Sequence, residues 1–124
     1  MQLVALLLAS LMVPAAHATC LFARDTKPQD WYAWASVLVG AEVTNVEARG
    51  RVDVVSLNVS ETFKGPEHVK TATLEVPNNL WEACRLSRPA IGDHVLGALN
   101  ANNQALVVPL TEEYAARMRS AQPR

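Results

Sequence analysis

Residues 52–63 read VDVVSLNVSETF, and this stretch decides the fold class. Its apolar positions recur at alternate residues, at Val55, Leu57, Val59 and Phe63. The even-numbered positions between them are polar. Because side chains alternate between the two faces of a strand, this pattern predicts a β-strand with one buried face and one face in water. Such half-buried strands are typical of antiparallel sheets.

Other segments of the chain show a related pattern. Five strands are predicted in all, over residues 36–47, 52–63, 69–76, 94–99 and 104–108. The polar turn at residues 48–51 contains Gly50 and joins the first two strands as a long hairpin. The turn at residues 100–103 joins the last two as a second hairpin.

The remaining segments predict helices and one irregular stretch. Thr26, with Pro28 close behind it, predicts the N-cap of a short helical turn. Residues 77–93 predict a loop or a short helix. Thr111, followed by two glutamates, predicts the N-cap of a C-terminal helix. Together these elements predict a mainly β fold, a five-stranded OB-like antiparallel barrel with a C-terminal helix.

The first 18 residues predict a targeting segment. An apolar run covers residues 3–13, and the small residues Ala16 and Ala18 match the requirement of a signal peptidase. The run is shorter than the ~20 apolar residues that cross a bilayer, so no transmembrane segment is predicted. We therefore expect residues 1–18 to be a signal peptide and residues 19–124 to be a single OB-like domain. The expected location is secreted or periplasmic, by bacterial export.

Composition excludes several function classes. Of the 124 residues, 50% are hydrophobic, which is too apolar for a disordered chain. Lys and Arg number 11 against 12 Asp and Glu, so the formal net charge is -1. Without a basic excess, we expect no nucleic-acid partner.

The exported chain keeps two cysteines, Cys20 and Cys84. In an oxidising compartment an even number of cysteines permits full pairing, and two cysteines allow one intramolecular connectivity. The predicted disulfide closes a loop of ~65 residues, which stabilises the fold by about 4 kcal/mol in the chain-entropy model.

The order of these features resembles a known family. The segments concerned are Cys20, ASVLVGAEV at 35–43, VSETFKGP at 59–66, Cys84 and IGDHVL at 91–96. Together they resemble small exported bacterial proteins related to the OB-type, netrin-like domain of tissue inhibitors of metalloproteinases. The resemblance implies an OB-like barrel with the N-terminal cysteine held at its surface.

In those inhibitors a mature Cys-x-Cys segment enters the protease cleft, and the terminal amine and first carbonyl bind the catalytic zinc. The first cysteine corresponds to Cys20, and Phe22 stands in place of the second. Cleavage after Ala18 leaves Thr19 ahead of Cys20. The candidate binding residues are therefore Thr19, Cys20 and Leu21, to which we add Trp81 as an aromatic contact. Covering an end of the barrel is the favoured role of the tryptophans, Trp81 included, because the chain is otherwise short of large core residues.

Motifs of catalysis are missing from the sequence. It contains no Gly-x-Ser-x-Gly, P-loop or His-Glu-x-x-His, and its histidines lack ligand spacing, so no catalytic residue, metal or cofactor is predicted. We expect a non-enzymatic binding module that recognises a protein partner. Three alternatives stay open: a metalloproteinase inhibitor acting through the Cys20 segment, an envelope-attached structural lipoprotein acylated on Cys20, and a small hydrolase using His94 and Asp93.

Overall fold

The computed structural model describes residues 26–123. The predicted signal peptide and the predicted site residues Thr19, Cys20 and Leu21 lie outside this range. In chain order the described elements are α1 (Pro28–Trp34), β1 (Val37–Arg49), β2 (Val52–Lys64), β3 (Thr71–Pro77), α2 (Asn79–Ala83), β4 (His94–Leu99), β5 (Ala105–Pro109) and α3 (Glu112–Ser120).

The five strands form one antiparallel sheet in the order β3-β2-β1-β4-β5. The prediction of a mainly β fold with five antiparallel strands and a C-terminal helix is thereby confirmed. The edge strands β3 and β5 approach each other, with Cα atoms within 8 Å. Within residues 26–123 no ladder of hydrogen bonds joins these two strands, so the sheet is curled but open.

The two faces of this sheet bury separate sets of apolar side chains. The inner core is formed by strand residues that include Val43, Leu57 and Val107, and Trp81 packs against them. The outer core lies on the opposite face, beneath α1 and α3. Its members are Trp31, Tyr32, Ala35, Leu38, Phe63, Leu96, Ala98, Leu106, Val108, Ala115 and Met118. Strands β1, β4 and β5 contribute to both cores, because alternate residues point to opposite faces.

The ladder of β1 and β2 has three register shifts, which leave Ser60, Thr44 and Phe63 without a partner and change which side chains face inward. Two of these bulges, at Ser60 and Thr44, are closed by a hydroxyl side chain. Gly40 pairs with Glu61 while Ala41 pairs with Val59, which leaves Ser60 without a register partner. The Ser60 hydroxyl donates to the Gly40 carbonyl at 3.0 Å. The inserted residue shifts the alternation beyond it. Phe63 therefore lies in the outer core, and the expected single stripe from Val55 to Phe63 is wrong at its end.

The second bulge uses the same chemistry. Val43 pairs with Leu57 and Asn45 pairs with Ser56, so Thr44 is the inserted residue. Its hydroxyl donates to the Ser56 carbonyl at 3.1 Å. At both bulges a hydroxyl side chain therefore binds a carbonyl oxygen of the partner strand.

The short helix is present as α1, but the predicted cap is wrong: the N-cap is Lys27 and not Thr26, so the helix begins at Pro28. Pro28 suits the first helical position because it needs no amide partner and its φ is already helical. At the other end, the Lys64 ammonium donates to the carbonyl oxygens of Tyr32 and Ala35, both at 2.7 Å. A cation at this position satisfies carbonyl groups that the helix leaves unpaired.

Helix α3 is fastened to both α1 and the sheet. The predicted N-cap is confirmed, since the Thr111 hydroxyl accepts from the Tyr114 amide at 3.1 Å. The Tyr32 hydroxyl donates to the Met118 carbonyl at 2.7 Å, and the Tyr114 hydroxyl donates to the Thr26 carbonyl. These bonds place the buried side of α3 over the outer core.

Candidate partner-binding surface

Trp81 is the one predicted binding residue that the structure describes. It lies in α2, is 6% exposed, and packs into the inner core. Its indole Nε1 donates to a carboxylate oxygen of Asp53 at 2.7 Å. This position covers the interior of the curled sheet, and a role for Trp81 in binding stays a prediction.

Asp53 was not singled out by the sequence analysis. The residue as a whole is 2% exposed, and its carboxylate also accepts from Arg88, at 2.9 Å from Nε and 3.2 Å from the second nitrogen. We call Asp53, Trp81 and Arg88 the Asp53 anchor, because it fastens the irregular stretch after β3 to the sheet. The sequence did contain a signal for this anchor. Asp53 is at an odd-numbered position of β2, on the same face as the apolar residues Val55 and Leu57, and a carboxylate buried there needs hydrogen-bond donors.

Cys84 follows α2 directly and is 8% exposed. Its predicted partner, Cys20, lies outside the described residues. The disulfide therefore stays a prediction, as do the inhibitor and lipoprotein alternatives, which depend on the same N-terminal segment.

The turn at residues 90–93 is held by four hydrogen bonds. The Ala90 amide donates to the Asp93 carboxylate at 2.9 Å, and the Asp93 amide donates to the Ala90 carbonyl at 3.0 Å. The Gly92 amide donates to the Val43 carbonyl at 2.8 Å, and the Val43 amide donates to the Asp93 carbonyl at 2.9 Å. Gly92 adopts φ 96°, a conformation that favours glycine. The turn is therefore rigid and is attached to the second bulge of β1.

This rigid turn presents Ile91 to solvent. Among residues 26–123, Ile91 is the one large hydrophobic side chain that is exposed, at 69%. The Asp93 carboxylate closes the turn by accepting from the Ala90 amide. Within the described residues no hydrogen bond joins the Asp93 side chain to that of His94. The turn thus displays an aliphatic side chain, and the hydrolase alternative stays a hypothesis.

A cleft of about 320 Å³ lies between the loop that follows α2 and the end of β5. We call it the apolar cleft, because most of its walls are aliphatic. Its lining residues are Ser87, Pro89, Asp93, His94, Val95, Val107, Val108, Pro109 and Leu110. Ile91 does not itself line the cleft, but Pro89 and Asp93, which lie on either side of it in the sequence, do.

A second cleft, of about 480 Å³, shares His94 and Leu110 with the first. We call it the charged cleft, since Glu61, Glu112 and Arg119 line it. The Arg119 guanidinium binds both carboxylate oxygens of Glu61, at 2.6 and 2.9 Å, and one oxygen of Glu112 at 3.0 Å. The hydrogen bonds to Glu61, followed by that to Glu112, raise the pKa of Arg119 above its ordinary value.

Other features of the described chain offer less. A cleft of about 660 Å³ begins at Lys27, directly beside the residues that the structure does not describe, so we assign it no role. In the range 26–123, no three His, Cys, Asp or Glu side chains are grouped as ligands for a metal ion. No helix of that range has the length and apolar character that crossing a membrane requires.

No protein-family model and no curated protein matches the chain. The geometry of the surface around Ile91 and His94 therefore carries the functional inference.

Proposed function

We propose that this chain is an exported, non-enzymatic binding module of OB-like fold that recognises a protein partner. The OB-like fold is supported by the strand order and by the approach of β3 to β5, since joining those two edges would close a five-stranded barrel. Export is supported by the signal-peptide pattern of residues 1–18.

The presentation of Ile91 is the observation that carries the proposal. A scattered exposed aliphatic residue is ordinary on a protein surface. Ile91 differs because four hydrogen bonds hold its turn and because its neighbours in that segment, Pro89 and Asp93, line an apolar cleft. A rigid aliphatic anchor beside a cleft loses little conformational entropy when a partner covers it.

Site-specific photo-crosslinking tests this proposal in the exporting host. A photoreactive residue replaces Ile91 in one protein and Ala101 in the other. Ala101 is the matched control, because it is also exposed and lies in the turn at the opposite end of β4. We expect a discrete protein adduct at position 91 and none at position 101.

The crosslinked protein is then purified and its affinity for the unlabelled chain is measured. We expect Ile91→Asp to weaken this binding at least tenfold, as the loss of an interface anchor does, and to leave Tm nearly unchanged because the side chain is exposed. Equal crosslinking at both positions, or an affinity that Ile91→Asp leaves unchanged, would contradict the proposal.

A further inference from the structure

One carboxylate lines the apolar cleft, and a second lies opposite a lining residue. Asp93 lies in its lining, and His94 separates it from the charged cleft. Glu42 is directly opposite His94 in the ladder of β1 and β4, where side chains lie about 5 Å apart. Both carboxylates are exposed.

The neighbouring charged cleft does not offset this negative charge. Its guanidinium, on Arg119, is already bound to Glu61 and Glu112, so two carboxylates share one cation. With Asp93 and Glu42 added, four carboxylates stand against the Arg119 guanidinium around His94, while Arg88, between the cleft residues Ser87 and Pro89 in the sequence, is bound to the Asp53 carboxylate. An aliphatic wall beside the four carboxylates concentrates negative potential, because low-dielectric walls focus the field.

We infer that the apolar cleft binds an extended segment of the protein partner in which a Lys or Arg lies next to aliphatic residues. This inference rests on the proposed function and adds the chemistry of the ligand. The aliphatic side chains contact Pro109, Leu110 and Ile91, and the cation faces Glu42 and Asp93. The cleft volume of about 320 Å³ is at the small end of ligand sites, which suits one or two side chains rather than a whole helix.

Selection from a phage-displayed library of random peptides tests this inference with the exported chain as bait. We expect the enriched peptides to carry Lys or Arg beside Leu, Ile or Val. One such peptide is then synthesised, and its dissociation constant is measured by fluorescence anisotropy. Replacing its basic residue with Glu is expected to weaken binding more than tenfold, because like charges are then brought together.

Two variants of the bait locate the interaction. Glu42→Gln removes one carboxylate charge and is expected to weaken the basic peptide about fivefold, the upper range for an exposed ion pair. Glu75→Gln is the matched control, since Glu75 is also an exposed glutamate that lines neither cleft, but it lies opposite Val54 of β2, whereas Glu42 lies opposite His94. It is expected to change the affinity less than twofold. Raising the salt concentration is expected to weaken the wild-type complex more than the Glu42→Gln complex.

Other outcomes would overturn the inference. Enriched peptides without basic residues, no enrichment at all, or equal effects of Glu42→Gln and Glu75→Gln would each exclude this ligand chemistry. A dimer of the chain that Ile91→Asp dissociates would show that a second copy occupies the surface instead. In each of these cases the crosslinking at Ile91 still decides the proposed function separately.

Discussion

Asp53 and Glu61 both lie on β2 and both bind an arginine, yet their surroundings differ. The Asp53 side chain is 3% exposed, whereas that of Glu61 is 31% exposed. Asp53 has an additional donor in the Trp81 indole, at 2.7 Å. Glu61 shares its arginine with Glu112 at the surface. The comparison shows that burial and the full set of donors, rather than the ion pair itself, set the energetic role of each carboxylate.

The largest expected effect is at the buried carboxylate. Asp53→Ala is expected to lower the free energy of unfolding by about 3 kcal/mol, because it strands the Trp81 N–H in the core and releases Arg88. Urea denaturation measures the change. Glu61→Ala on the same strand is the control and is expected to cost under about 1 kcal/mol. Equal losses in the two variants would remove the distinction between the sites.

A smaller effect is expected at Tyr32, which is close enough to Glu61 to be influenced by its charge. Burial first, and the charge of Glu61 second, raise the pKa of Tyr32 above its ordinary value of 10.0. Above that pH the unfolded chain releases the phenolic proton while the folded chain retains it. The stability that this group contributes is therefore present below pH 10 and is lost as the pH rises through the raised pKa.

Tyr32→Phe tests this dependence. The variant loses the hydrogen bond to Met118, which costs about 1 kcal/mol near neutral pH, but its stability should fall less steeply above pH 10. Burial also raises the pKa of Tyr114, which is present in both proteins. The difference between the two pH curves therefore reports Tyr32. Parallel curves would contradict the assignment.

The smallest effect is expected at Arg119. Arg119→Gln removes a guanidinium that binds two partly or fully exposed carboxylates, and such pairs are screened by water and salt. Thermal melts at low and high salt should show a slight loss of Tm that disappears at high salt. A loss as large as that of Asp53→Ala would mean that the exposed network is as important to folding as the Asp53 anchor.

Much of the secondary structure could be predicted because it depends on local patterns. The alternation in β2, the turn at Gly50 and the cap at Thr111 each act within a few residues. The predicted limits of β3, residues 69–76, were wrong, since the strand covers Thr71–Pro77. A proline is tolerated there because β3 is an edge strand, so its missing amide breaks no ladder bond.

The surface around Ile91 was not predicted from the sequence. Asp93 and His94 entered the sequence interpretation as the residues of an alternative, a small hydrolase, and the structure shows in addition that Asp93 closes the turn that presents Ile91. The apolar cleft joins the loop after α2 to β5, two segments far apart in the sequence. A local sequence pattern does not show which distant segments come into contact. Neither the apolar cleft nor the exposure of Ile91 could therefore be predicted from the sequence.

By itself the sequence determined a mainly β chain with five antiparallel strands and a capped C-terminal helix, because periodicity and capping are encoded by neighbouring residues. Only the tertiary structure decided which apolar side chains belong to the inner core and which to the outer core. The bulge at Ser60 moves Phe63 to the outer face, and the anchor assembles Asp53, Trp81 and Arg88 from separate elements. Strand register and buried hydrogen-bond partners depend on which strands and loops come together, and that is a property of the whole packed chain.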